Sequence, residues 1–271
     1  MNTRGIGLAL LILCILGGLV AAFFSPVLAA TLTLPPSSNT GAATTPATST
    51  HAPVSPGVSG PFSESTPLPT QLPSGVFVLA RDTFQRPDQA LWGKSSDGQI
   101  WGGDANTSQA FAIARHAGQI SGGQGAMQAT LNVAGADADL LLSGAVNRFA
   151  ANGTINLGVI LRWSDPNNWY KVLIDGKNLQ LLKDVHGQIS VLAVQPFKAT
   201  VGVVYTIRFR ALGSDLFAKV WPATRPEPTN WALMVIDTSL TGGMSGIRVL
   251  LAPGAVIRVT SFVEMSLPNT V

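Results

Sequence analysis

Cysteine and charge are both scarce in this chain of 271 residues. Cys14 is the only cysteine and lies in an apolar N-terminal segment, so the rest of the chain can form neither a disulfide nor a cysteine-ligated metal site. Charged residues make up 11% of the sequence, against about 25% in ordinary globular proteins. Lys and Arg are scattered without a basic run, which argues against nucleic acid as a partner.

The first thirty residues have the layout of an export signal. Arg4 precedes an uncharged apolar run from Ile6 to Phe24, which Pro26 ends, as in a secretory signal peptide. This run is also close to the ~20 residues that span a bilayer, so an uncleaved membrane anchor is the alternative. Both predict that the rest of the chain lies outside the cell, secreted or anchored, with membrane contact only through residues 1–30.

Residues 31–75 are dominated by Pro, Thr, Ser, Ala and Gly, with neither strand alternation nor helical periodicity. Such a segment buries too little apolar surface to fold, and its prolines favour a semi-rigid, extended spacer. The composition also fits an O-glycosylated stalk. We therefore expect a disordered linker over 31–75, a folded domain over 76–267 and a short tail over 268–271.

The segment 76–267 is rich in short β-branched and aromatic runs separated by Gly, Pro, Asn and Asp. The alternation is clearest where Tyr205, Ile207 and Phe209 are expected to face inward, with Arg208 and Arg210 facing outward. Further strands are predicted at residues 126–133, 156–163, 169–174, 179–183, 189–193, 216–221 and 256–265. This spacing is typical of an all-β sandwich or barrel, with a single helical turn expected at residues 137–146.

Three blocks carry a resemblance to a known family. They are Arg81-Asp-Thr-Phe-Gln-Arg86 with Leu91-Trp-Gly93, then Gly158-Val-Ile-Leu-Arg162 with Asn167-Asn-Trp-Tyr170, then Tyr205-Thr-Ile-Arg-Phe-Arg210 with Ala218-Lys-Val-Trp221. Their order and spacing over 76–267 resemble the concanavalin A-like lectin/glucanase jelly roll, in the laminin G-like form of bacterial exported proteins. The resemblance implies two antiparallel sheets with the first and last strands paired, which would bring Phe84 near Phe262.

Enzymes of that family use a Glu-x-Asp-x-x-Glu strand, whose two glutamates act as nucleophile and general acid about 5–5.5 Å apart. This chain has three glutamates, Glu64, Glu227 and Glu264, and none belongs to such a motif. Asp137 and Asp139 are an alternative pair if they share a strand face, although a solvated turn explains them as well. A glycan-active hydrolase or lyase using aspartate chemistry therefore stays open as a second hypothesis.

Calcium is the metal that the sequence leaves open, because it takes oxygen ligands from loops. Asp104 and Asn106 lie in one polar loop, and Asp165, Asn167 and Asn168 form a second candidate. Asp and Asn are also ordinary turn formers. No other cofactor is indicated.

Exposed tryptophan beside polar side chains is a common sugar-binding arrangement. Trp101 and Trp169 adjoin polar loops and are the tryptophans most expected to be exposed, although packing in the core or at a sheet edge is the alternative for each. Asn168 lies beside Trp169, and Arg162 and Lys171 would flank the same concave sheet, with salt bridges as their alternative role. The leading hypothesis is a non-catalytic, exported module that binds an extracellular glycan or a surface protein. A structural or adhesion module without a small ligand is the third hypothesis, and no oligomeric state is indicated.

Overall fold

A computed structural model describes residues 74–267 of the chain. The predicted export segment, the linker before residue 74 and the tail lie outside these residues. Within 74–267, no helix is both long enough and apolar enough to cross a membrane.

The described residues form sixteen β-strands and one short 3₁₀ helix. In chain order the elements are β1 (Val78–Asp82), β2 (Gln89–Ala90), β3 (Trp101–Gly103), the 3₁₀ helix η1 (Asp104–Asn106), β4 (Phe111–Ile113), β5 (Gly118–Ser121), β6 (Gly125–Gly135), β7 (Ala138–Val146), β8 (Leu157–Asp165), β9 (Asn168–Ile174), β10 (Asn178–Val185), β11 (Gln188–Pro196), β12 (Tyr205–Leu212), β13 (Asp215–Pro222), β14 (Leu233–Ile236), β15 (Gly243–Leu251) and β16 (Val256–Ser266).

These strands form two antiparallel sheets packed as a sandwich, as the sequence predicted. The nine-stranded sheet has the order β14-β13-β12-β7-β16-β5-β4-β2, with β1 also paired to β16, and the seven-stranded sheet has the order β11-β10-β9-β8-β15-β6-β3. The predicted pairing of the first and last strands is confirmed, since β1 runs antiparallel to β16 with Asp82 opposite Phe262.

Alternating burial along the strands builds the core between the sheets. Tyr205, Ile207 and Phe209 of β12 are buried in it, whereas Arg208 and Arg210 point to the outer face, as predicted. An aromatic cluster fills one end of the core, and Phe84 and Phe262 both contact Trp101 there, with ring centroids 5.9 and 5.1 Å away. Phe84 and Phe262 thus belong to the same cluster, as expected, because each packs against Trp101.

The first sequence block, residues 81–86, contains the acid Asp82 and the base Arg86, and these two form an ion pair. The buried Asp82 carboxylate accepts hydrogen bonds from Arg86 at 2.7 and 3.0 Å and from the Trp101 indole at 2.7 Å. Its Oδ1 also accepts the backbone N–H of Phe84 at 2.8 Å. The ion pair therefore fixes the position of Trp101 in the core.

A second acid, Glu264, lies between the two sheets. Ser245 of β15 donates its hydroxyl to the Glu264 carboxyl of β16, which joins the two sheets by a buried hydrogen bond. Burial raises the pKa of Glu264 to about 7, although the Ser245 hydrogen bond opposes the rise.

The helical turn expected at residues 137–146 is wrong. Residues 138–146 form β7, a central strand between β12 and β16. Pairing on both sides and burial of Leu140 and Leu142 override the local preference. Six other strands were also not predicted, namely β2, β3, β4, β5, β14 and β15. The first five are short, and β15 contains two glycines.

Candidate functional site

The outer face of the seven-stranded sheet carries the candidate site. Ala129, Ile247 and Val159 on three adjacent strands point into the core. The residues that alternate with them therefore face away from the core. Gly102, Thr130, Gly246, Ile160 and Lys171 form one continuous cross-strand row on this outer face.

A groove of about 620 Å³ lies at the β3 end of this row. Gly102, Gly103 and Thr130 form its floor, and Trp163 and Met244 line its wall. Gln99, Ile100 and Trp101 complete the lining, and the Ile100 side chain is 63% exposed at the rim.

Gly102 and Gly103 contribute only backbone to the lining of the groove. A Cβ on Gly102 would lie 3.0 Å from the Thr130 hydroxyl, and in the same cross-strand row, outside the lining, a Cβ on Gly246 would collide with the carbonyl oxygen of Ala129. Gly246 therefore cannot carry a side chain without displacing the neighbouring strand, whereas a side chain at Gly102 would require the Thr130 hydroxyl to shift. The result is a stretch of bare backbone beside the wall residues.

A break in β8 places Trp163 on the wall. Arg162 has a φ of 52°, and the β8–β9 register shifts between Leu161 and Asp165. Trp163 pairs with Met244 of β15. Gly243 allows this close approach, because a Cβ there would lie 2.6 Å from the Trp163 carbonyl oxygen. The Trp163 side chain is half-buried, and its indole N–H is buried without an acceptor among the described residues.

Residues 237–240, which lead into β15, are anchored by polar contacts that fix the position of the wall residue Met244. Asp237 accepts hydrogen bonds from Tyr170 and from Lys183, both at 2.6 Å. The Tyr170 hydroxyl in turn accepts the backbone N–H of Leu240 at 3.0 Å. Burial, assisted by the hydrogen bond to Asp237, raises the pKa of Tyr170 to about 12, so this phenol stays protonated at neutral pH.

Charged side chains lie beyond the groove on the same face. The Arg248 guanidinium is 5.0 Å from the centre of the Trp169 ring and donates to Gln128 at 2.8 Å. Burial lowers the pKa of Arg248, and the charges of Asp184 and Asp104 oppose this change. Asp184 is itself buried, and its Oδ1 has no hydrogen-bond partner among the described residues.

Lys171 is buried on this face, and no carboxylate of residues 74–267 forms a salt bridge with its ammonium. Its side chain lies across Gly158, where a Cβ would be 2.6 Å from the Lys171 Cε, and its Nζ donates to Asn156 at 2.9 Å. Desolvation, and then the charge of Arg248, lower the pKa of Lys171 to about 7.

The expected exposure of Trp101 and Trp169 is wrong. Trp101 is 1% exposed, because its ring packs in the aromatic core, although the residue also belongs to the groove lining. Trp169 is 2% exposed, because Arg248 covers its ring and its indole N–H donates to Pro166 at 2.9 Å. The half-buried tryptophan in the groove is Trp163, which the sequence did not single out.

Arg162 and Lys171 lie on β8 and β9, adjacent strands of one sheet, but both are buried, and their role in ligand binding stays a prediction. Arg162 donates to the carbonyls of Ala136, Leu240 and Gly213 and to Asp137, so it ties loops together. Asn168 closes the β8–β9 turn by donating to Asp165 and accepting from the His186 backbone. The structure thus brings Asn168, Trp169 and Lys171 together on β9 and leaves Arg162 apart.

The side chains proposed for calcium are engaged in hydrogen bonds. Asp104 accepts the Gln128 backbone N–H at 2.9 Å, and the Asn106 amide bonds to Gly93 and Trp101. No group of three or more His, Cys, Asp or Glu side chains suited to a metal occurs in residues 74–267. Calcium at Asp104 and Asn106 stays a prediction from the sequence.

Asp137 and Asp139 do not converge on a shared site. Asp137 accepts from Arg162 at 3.3 Å and from the Gly213 backbone. Asp139 is buried on the outer face of the other sheet, ion-paired to Arg208 and Arg210 at 2.6 and 2.5 Å. Each carboxylate therefore has its own cationic partner.

No protein-family model and no curated protein matches this sequence. Among solved structures, the chain is similar to a xylan β-1,4-xylosidase from Bacillus halodurans C-125, with 10% identity and a TM-score of 0.52 over 73% of this chain and 40% of the enzyme. It is similar to the GH43 BlXynB protein from Bacillus licheniformis, with 12% identity and a TM-score of 0.51 over 74% and 41%. The chain shares the fold of the part of each enzyme that it matches.

A carbohydrate-binding module from Bacillus subtilis, CBM66, matches with 14% identity and a TM-score of 0.42 over 74% of this chain and 99% of the module. The chain spans about two-fifths of the length of each of the two enzymes above. At the identities of the two enzymes, the similarity shows the fold and not the ligand.

Proposed function

We propose that this protein is an exported, non-catalytic module that binds carbohydrate through the groove beside Trp163. The observation that carries the proposal is a half-buried tryptophan, Trp163, that lines a groove together with the bare backbone of Gly102 and Gly103. The flat, apolar side of a sugar ring packs against such an indole, while hydroxyl groups hydrogen-bond to nearby polar atoms. Thr130 and Gln99 are the polar side chains of the lining, and the Gln99 amide nitrogen already donates to the Leu79 carbonyl at 2.8 Å.

The absence of carboxylates from the described lining supports a binding role. Glycoside hydrolysis commonly needs two carboxyl groups on either side of the scissile bond. The lining residues carry no Asp or Glu, and Asp137 and Asp139 are ion-paired elsewhere. The shared fold with a protein named for its action on xylan is consistent with a sugar ligand.

Export is the second part of the proposal, and the sequence supports it. An apolar segment over residues 1–30 and a Pro/Thr/Ser-rich spacer over 31–75 would hold the sandwich away from the cell surface. Extracellular polysaccharide is then the ligand within reach.

The test is a glycan-array screen of the full-length protein, with and without calcium, followed by titration of each hit. Trp163→Ala is expected to weaken binding at least about tenfold, or ~1.4 kcal/mol, because it removes the stacking surface. Trp231→Ala is the matched control, since Trp231 is a half-buried tryptophan packed against Arg208 and Arg210 on the opposite sheet.

Each outcome is decisive for the proposal. Binding that survives Trp163→Ala would place the site elsewhere, and an array without hits would favour a structural or adhesion role. Release of reducing sugar from any bound polysaccharide would contradict the non-catalytic assignment. Loss of binding on calcium removal would restore the loop of Asp104 and Asn106 as a metal site.

A further inference from the structure

We infer that the groove selects uncharged glycans over those bearing carboxylate or sulfate groups, an inference that rests on the proposed function. The described residues that line the groove are all uncharged. An anionic sugar placed there would lose part of its hydration without gaining an ion pair, which is costly. A neutral sugar ring loses much less on entering the same groove.

Two side chains of opposite charge adjoin the groove without belonging to its lining: Lys94 pairs with the rim residue Ile100, and Asp97 accepts a hydrogen bond from the Gln99 side chain at 3.2 Å. The cation beside Trp163 is directed away from the groove. Arg162 directly precedes Trp163 in sequence, yet its guanidinium donates to Leu240, Gly213 and Ala136 carbonyls at 2.6 to 2.8 Å and to Asp137 at 3.3 Å. These bonds hold Arg162 at the loops and prevent it from reaching a ligand beside Trp163.

The two cations farther along the same face are also engaged. Arg248 lies over Trp169, donates to Gln128 and is balanced by the charges of Asp184 and Asp104. Lys171 is 3% exposed and points across Gly158 to Asn156. Neither the Lys171 ammonium nor the Arg248 guanidinium is therefore available to a ligand in the groove.

The walls favour a ring with an apolar side. The Trp163 ring, the Met244 thioether and the exposed Ile100 side chain give the groove three apolar surfaces. Its polar atoms belong to Thr130 and Gln99, which suit hydroxyl groups. This combination matches a neutral pyranose, and the described lining offers no cation to a uronate carboxylate.

The experiment compares chemically paired probes on the full-length protein. β-1,4-Mannohexaose and β-1,4-hexamannuronate differ in the group at C6, and cellohexaose and its C6-carboxylate form make a second pair. Carboxyl-containing polysaccharides from the array are also compared before and after carboxyl reduction. Trp163-dependent binding is expected to favour the neutral member at least about tenfold and to change little with ionic strength.

A designed cation tests the reason for the preference. Met244→Lys places an ammonium on the groove wall and is expected to raise affinity for the acidic member about tenfold, whereas Met244→Gln, of similar length without charge, is not. Trp163-dependent binding that favours the acidic member, or an unchanged preference in Met244→Lys, would overturn the inference and leave the proposed function standing. Failure of all neutral and acidic probes to bind would refute both.

Discussion

Replacing Lys171 by Met should stabilise this protein, and more so at low pH than at high pH. The Met side chain can keep the apolar stem that lies across Gly158 while removing the buried ammonium. Asn156 would lose the Lys171 donor, but its Oδ1 still accepts the Leu250 backbone N–H at 3.1 Å. The substitution therefore leaves no polar atom newly without a partner.

The magnitude follows from the pKa of Lys171. Desolvation and the charge of Arg248 lower this pKa from 10.5 to about 7, which at ~1.4 kcal/mol per pH unit corresponds to about 5 kcal/mol. Below pH 7 the folded and unfolded states both carry the proton, and the folded state bears the full cost. Between about 7 and 10.5 the unfolded chain alone keeps the proton, so the stability of the parent protein rises with pH.

The expected gain in the free energy of unfolding is this relief of about 5 kcal/mol, less about 1 kcal/mol for the hydrogen bond that Lys171 donates to Asn156. At pH 6 the variant is expected to be more stable by about 4 kcal/mol, and the advantage should shrink by ~1.4 kcal/mol per pH unit above pH 7. Because the two proteins share every other titrating group, the contributions of those groups cancel in the difference between the two free energies of unfolding.

The assay is urea unfolding of both full-length proteins at several pH values from 6 to 9.5, with free energies extrapolated to water. Lys198→Met, at an exposed lysine, is the matched control and should show no such pH-dependent gain. A variant that is less stable than the parent at pH 6, or a difference that does not change with pH, would refute the reasoning.

Two further predictions concern the acids inside the sandwich. Glu264→Gln should match the parent near pH 4.5 and exceed its stability by about 3 kcal/mol at pH 8. Burial raises the pKa of Glu264 from 4.5 to about 7, so the parent loses stability as the pH rises from about 4.5 to 7. A pH-independent difference in urea unfolding would contradict this. Asp82→Ala should cost about 3–5 kcal/mol, since it leaves Arg86 and the Trp101 indole without their buried acceptor. Asp82→Asn, which keeps an acceptor for Trp101, should cost less, and equal losses in thermal or urea unfolding would show that the charge and not the hydrogen bond to Trp101 dominates.

Much of the sandwich could be predicted because strand burial repeats every second residue. The pattern from Tyr205 to Arg210 fixed which side chains of β12 enter the core, and the first block around Asp82 was expected beside the last strand. Local patterns failed at β7, where residues 138–146 gained strand structure from partners on both sides. A strand with two paired neighbours is stabilised by residues far away in sequence.

The candidate site was harder to predict, because exposure of an aromatic residue depends on what covers it. Trp169 follows a polar turn, yet Arg248, which is distant in sequence, lies over its ring. Trp163 reaches the groove through the break at Arg162 and the close approach of Gly243. No pattern within β8 shows this change of direction.

The sequence by itself determined the all-β class, the alternation that builds the core and the lack of a paired-glutamate motif, because these depend on residue type and spacing along one chain. Tertiary structure alone decided which tryptophan borders a groove, where each cation points and which acids are buried. Those properties arise when strands distant in sequence become neighbours, and the contacts between them set both exposure and charge.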